Sequence, residues 1–158
     1  MKPNNVTRLL DSRKIPYTAF ELPAEKLSAI EAAHIMGVPP EQVYKTIVIT
    51  REGKGKPLLA VVPGPDEVDL KALAKTLGEK KVNLPTEREA ERLTGLQAGG
   101  ISPLALTHRR FQVVIDETAS LYEQIYISGG QRGLDILLPV DALAELTNAT
   151  LAAIAIAT

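Results

Sequence analysis

Three short segments of the chain carry residue types that can do chemistry. The first is Val43-Tyr44-Lys45-Thr46, where a lysine enters an otherwise β-branched and apolar run that continues to Thr50. Strand alternation puts Lys45 on one face with Ile47 and Ile49, and Tyr44, Thr46 and Val48 on the other. An ammonium on such a row either snorkels from the strand end or projects into a pocket, where it grips an anion or a carbonyl oxygen. The second segment is Gly99-Gly100-Ile101-Ser102-Pro103. Its glycines free the backbone, Ser102 offers a hydroxyl and Pro103 stiffens the exit, so the loop can aim N–H groups at an oxygen. The third is Ser128-Gly129-Gly130-Gln131-Arg132-Gly133, which follows a strand and runs into Leu134-Asp135. Either glycine turn alone is equally a plain connection between strands.

The rest of the composition narrows the chemistry by exclusion. With no cysteine, the chain has no disulfide, thiolate metal site or thiol nucleophile of its own. His34 and His108 lie far apart, one on a helix beside small and apolar residues and one beside two arginines, so neither makes a metal site or a convincing base. No nucleophile elbow, Walker loop or dinucleotide fingerprint is present, and Gly53-Lys54-Gly55-Lys56 falls in a hairpin turn, which disfavours nucleotide hydrolysis. No metal and no cofactor are expected. A formal net charge of −1 argues against holding a polyanion by bulk electrostatics, so any nucleic-acid contact must be local. Arg8, Arg13 and Lys14, the lysines 71, 75, 80 and 81, and His108-Arg109-Arg110 are basic spots for that purpose, and equally ordinary solvated surface. No apolar run approaches the ~18 residues of a membrane span, and the amino terminus lacks a signal-peptide segment, so the expected compartment is the cytoplasm.

These residues need a scaffold, and 45% hydrophobic with 23% charged residues fits an ordinary folded one. Residues 4–13 read as a helix broken at Pro16, and 17–22 as a short strand. Ser28 caps a second helix, with Glu31 at capping-box distance, Ile30, Ala33 and Ile35 packing inward and Gly37 as the stop. Val43–Thr50 and Leu58–Val62 form a hairpin across the 53–57 turn. Asp69 caps a helix that ends at Gly78, 82–84 is a brief strand, and a helix from Thr86 stops at Gly95. The second half is mainly β, with strands at 112–115, 124–128 and 134–138, a helix from Pro139, and a closing strand or helix over 151–156. With no repeat or linker, residues 1–158 should form one α/β domain of the α+β type on a mixed sheet.

The three segments, in this order and at these separations, resemble the YbaK family, free-standing relatives of the editing domain associated with prolyl-tRNA synthetases. Asp69-Leu70-Lys71-Ala72-Leu73-Ala74 and Lys80-Lys81-Val82 also look like the family's middle section, so the resemblance spans nearly the whole chain. It implies a mixed, partly barrel-like sheet surrounded by helices, and an aminoacyl-tRNA deacylase activity. In YbaK-like proteins the favoured substrate is cysteine wrongly esterified to proline tRNA, whose own thiol attacks the ester, whereas sister groups clear alanine. Lys45 matches the family's essential lysine, and Gly100 the backbone element facing the ester. Ser128 and Asp135 match polar positions near the pocket, and Thr46 and Ser102 in the same motifs are further candidates for substrate binding. One departure is Leu22, where the family often has an aromatic residue near the end of its first strand; Tyr17 and Phe20 stand close by. The implied partners are the acceptor end of mischarged tRNA and, transiently, prolyl-tRNA synthetase. Oligomeric state is left open, as are two alternatives: a deacylase for another small residue such as alanine, and a silent module that binds tRNA or a synthetase.

Overall fold

A computed structural model describes residues 2–53 and 55–158. Lys54 of the hairpin turn lies outside the described residues. The chain runs α1 (Asn5–Ser12), β1 (Thr18–Glu21), α2 (Ala29–Met36), β2 (Tyr44–Arg51), β3 (Leu58–Pro63), β4 (Asp66–Val68), α3 (Leu70–Leu77), β5 (Val82–Asn83) and α4 (Glu87–Thr94). It continues with β6 (Gln112–Asp116), β7 (Gln124–Ser128), β8 (Leu134–Pro139), α5 (Val140–Thr147), β9 (Thr150–Ala152) and β10 (Ala155–Ala157).

The helices start and stop where short-range chemistry dictates. Ser28 accepts from the Glu31 amide while Glu31 reaches back to the Ser28 amide, and Gly37 ends α2 in the left-handed conformation. Asp69 and Thr86 cap α3 and α4 by accepting from the amides of Ala72 and Glu89, without the reciprocal bond, and Gly78 and Gly95 close them. The inward residues of α2 match expectation at Ala33 but not at the two isoleucines. Ala32 and Ala33 are buried, whereas Ile30 and Ile35 stand 51% and 48% exposed. On an eight-residue helix the narrow buried stripe is filled by alanines, which let α2 lie close to the strands and leave the isoleucines outside it.

The main sheet has five strands in the order β5-β2-β3-β6-β9; β2 and β3 pair antiparallel, whereas β6 runs parallel to both β3 and β9. Its middle strand β3 is buried along its whole length, as expected of a strand covered on both faces. One face carries Tyr44, Val48, Leu59, Val61 and Ile115, and the other Ile49, Leu58, Ala60, Val62 and Val114, with Leu73 of α3 packed in the same cluster. A second sheet, β1-β8-β7, meets the first through a single bridge between Val43 and Tyr126, so the sheet is mixed but does not close into a barrel. The closing segment is two strands: β9 extends the main sheet and β10 pairs with β4, a strand the sequence did not announce. Buried Asp116 holds this end together. Its Oδ1 accepts from the amides of Ile154 and Ala155 at 2.9 and 3.0 Å, and its Oδ2 accepts from the Thr118 hydroxyl at 2.6 Å. That hydroxyl also meets the Tyr44 hydroxyl at 2.7 Å, and burial pushes the tyrosine up to about 12.

Candidate active site

The strand that carries the lysine has a free edge. β2 pairs with β3 from Tyr44 to Ile49, but on its other side it meets β5 only at Thr50 and Arg51 and β7 only through the bridge at Val43. A cavity of about 640 Å³ fills this gap, lined by every residue from Val43 to Val48. The position explains why Lys45 and Thr46, which point to opposite faces, both reach it: the cavity abuts the strand edge-on, with unpaired backbone groups available between them.

Lys45 is half-buried on the wall. Burial holds its ammonium below the usual lysine range, and the carboxylates of Glu67 and Asp66 pull weakly the other way. Thr46 Oγ1 is the one buried side-chain polar atom without a hydrogen-bond partner among the described residues. A hydroxyl left unsatisfied beside a cavity is a group waiting for a ligand or water.

The opposite wall comes from the β7–β8 hairpin, where Ser128 and Asp135 are direct cross-strand partners and therefore project together. Ser128 Oγ accepts from the Gly130 amide, fixing the turn. Asp135 is 9% exposed, and burial alone pushes its carboxyl up to about 6.

The two glycine turns are knitted to each other. A Cβ on Gly100 would lie 2.8–2.9 Å from backbone atoms of Gln131 and Arg132, so only glycine permits this approach. Arg132 Nε donates to the Ala98 carbonyl at 2.8 Å, and Asn4, the N-cap of α1, donates to the Gly129 carbonyl at 2.9 Å. The structure thus brings Lys45, Thr46, Ser128 and Asp135 onto one cavity, with Gly99, Ile101 and Gly133 beside them. Gly100 and Ser102 are not on its wall. Gly100 sits behind the turn, and fully buried Ser102 uses its hydroxyl to accept from the Leu104 amide at the start of a 3₁₀ segment. Sequence reasoning had not identified Ser28, Ile30 and Leu84, which also line the cavity. Ser28 was visible only as a helix cap, and Ile30 only as an inward helix residue. Among the described residues no three His, Cys, Asp or Glu side chains group as metal ligands. His108, Arg109 and Arg110 are exposed, with the Arg109 guanidinium stacked on Phe111.

Fold and site define an α+β domain in which a strand-borne lysine and paired glycine turns surround one ligand-sized cavity. Residues 24–146, which include all six candidate site residues, match the aminoacyl-tRNA editing domain, and the chain belongs to that family. It is 37% identical over 152 residues, 95% of this chain and 92% of the other, to EbsC of Enterococcus faecalis, a candidate Cys-tRNA(Pro)/Cys-tRNA(Cys) deacylase. It is 32% identical over 92 residues to a proline–tRNA ligase of Trichlorobacter lovleyi, of which the match covers only 16%. A crystal structure of a candidate trans-editing enzyme for prolyl-tRNA synthetase superposes with a TM-score of 0.78 at 27% identity, over 98% of both chains. A hypothetical protein superposes at 0.87 over 97% of this chain and all of its own, at 23% identity, and shares the fold.

Proposed function

We propose that the protein hydrolyses the ester of mischarged tRNA, with Cys-tRNA(Pro) as its substrate. The observation that carries this reading is the convergence of Lys45, the Gly99 turn and the Ser128–Asp135 pair on one cavity in a chain of the editing family. The similarity to EbsC supports the choice of cysteine and proline tRNA.

An aminoacyl ester is already activated, so orientation and stabilisation of developing oxyanion charge suffice. Lys45 grips the terminal phosphate or ribose as a cation. The Gly99–Ile101 backbone, held in place by the close contact at Gly100, faces the carbonyl; a good donor there contributes on the order of 3–4 kcal/mol. Asp135 and Ser128 receive the substrate ammonium, and Thr46 a ribose hydroxyl. The chain offers no thiol, so the attacking group is the cysteine side chain of the substrate itself. Its sulfur bonds to the ester carbon, the ester C–O bond breaks and the thiol proton passes to the leaving ribose oxygen, which frees the tRNA and leaves a cyclic cysteine thiolactone that water then opens to cysteine. This step selects cysteine where sterics would not, since small-group sieving gives only ~10–200-fold. With a net charge of −1, tRNA delivery falls to a transient complex with prolyl-tRNA synthetase in the cytoplasm. A deacylation panel of cysteinyl-, alanyl- and prolyl-tRNA tests the reading. Preferential release of cysteine is expected; release of alanine instead would move the assignment to that substrate, and inertness toward all three would refute it.

A further inference from the structure

The cavity has a feature that cleavage of a small aminoacyl group does not use. Its volume of about 640 Å³ exceeds that of a cysteinyl group and leaves room for what the ester is attached to. Two of its lining residues are large aliphatics standing in solvent: Ile30 on α2, 51% exposed, and Leu84 between β5 and α4, 61% exposed. They belong to two segments that line the same cavity and are tied together by an ion pair. Lys26, four residues before Ile30, reaches Glu87, three residues after Leu84, with 2.6 Å between Nζ and Oε1, so the two segments approach each other beside the cavity. Near these lips Glu25, Glu31 and Glu87 stand against Lys26 alone, which disfavours a phosphate between them. What suits two aliphatic lips on an acidic wall is a flat, uncharged group tethered close to the ester.

We propose that Ile30 and Leu84 clamp the terminal adenine of the tRNA between them. The inference rests on the deacylase reading, because the tether supplies the occupant: the ester sits on the terminal ribose, and the base hangs from that same sugar. With the carbonyl near Gly99 and Lys45, one ribose separates it from the mouth. Aliphatic side chains on both faces of a base exclude water and bind without base-specific hydrogen bonds, so the clamp positions the substrate and leaves amino-acid selection to the interior.

The test uses Ile30→Ser, Leu84→Ser and the double variant; both positions are exposed, so the fold tolerates them. On Cys-tRNA(Pro) the double variant should raise KM roughly tenfold, in line with the binding typically gained by stacking a base, with the loss in KM more than in kcat. In the wild type, adenosine monophosphate should inhibit competitively and far better than ribose 5-phosphate, which lacks the base; in the double variant the two should become equally weak. Equal inhibition by both compounds in the wild type, or an unchanged KM in the double variant, would overturn the clamp. If the wild type cleaves no aminoacyl-tRNA, the functional reading fails separately, and methyl NMR still decides the clamp: adenosine monophosphate must shift the Ile30 and Leu84 resonances or the proposal falls.

Discussion

Replacing Asp135 with asparagine should make the protein more stable at neutral pH and less active. The carboxyl is 9% exposed and has no ion pair among the described residues, and burial moves it from 3.8 to about 6. Each unit of such displacement corresponds to about 1.4 kcal/mol, so the ionised group costs the folded state about 3 kcal/mol at pH 7. The sign follows from proton binding. Above pH 6 the carboxyl is ionised in both states and the folded state carries the full penalty; below 3.8 it is protonated in both and the penalty is gone. Wild-type stability therefore falls, relative to Asp135→Asn, as pH rises from about 4 to 6. The amide is itself a buried polar group, so the net gain should be about 1–3 kcal/mol at pH 7, or roughly 2–10 °C in Tm, shrinking toward zero near pH 4. Urea and thermal melts of both proteins at pH 4, 5, 6 and 7 measure it. In parallel, kcat/KM on Cys-tRNA(Pro) should drop and lose the wild-type inflection near pH 6. A variant that is less stable at pH 7, or a difference that does not change between pH 4 and 7, would refute the argument that this carboxylate is held unpaired for a ligand.

The other substitutions separate contact from support. Lys45→Ala should lower deacylation about 100-fold or more in single-turnover assays with the melting curve retained, since the ammonium is disfavoured by burial and, among the described residues, no side-chain hydrogen bond depends on it. Thr46→Val removes an unsatisfied hydroxyl at constant shape, so stability should hold or rise by up to about 1 kcal/mol while kcat/KM falls; lost stability with full activity would place the hydroxyl in the framework. Gly100→Ala drives a methyl into the Gln131–Arg132 backbone and should cost about 1–3 kcal/mol in urea denaturation together with most of the activity, although residue 100 is off the cavity wall.

What was legible in the sequence was local. The α2, α3 and α4 boundaries were readable because Ser28, Asp69 and Thr86 bond to amides three residues away and Gly37, Gly78 and Gly95 supply the left-handed stop. Strand alternation placed Lys45 with Ile47 and Ile49, and both isoleucines do pack against the second core. The illegible parts depend on distant partners. β4 exists because β10 pairs with it, and 103–109 turns into a 3₁₀ segment once Ser102 is buried as its cap. No periodicity announces that the edge of β2 is open from residue 44 to 49, because that depends on β5 being only two residues long and on where the β7–β8 hairpin ends.

The misplacement of Ile30 carries the most information. Helical periodicity assigns it inward, yet the structure leaves half of it in water beside the cavity, across from an even more exposed Leu84. Exposing two large aliphatics is unfavourable and unnecessary for a fold whose core is filled by alanines on that helix. Local rules tend to fail where function overrides them. Here the same region also holds an orphaned hydroxyl at Thr46 and a carboxylate displaced to about 6 at Asp135, three separate departures from a relaxed protein surface within one cavity. Each costs stability in the empty protein, and under the proposed function each would be relieved by a different part of one ligand: the aliphatic lips by a base, Thr46 by a sugar hydroxyl and Asp135 by an ammonium. An aminoacylated adenosine carries all three groups.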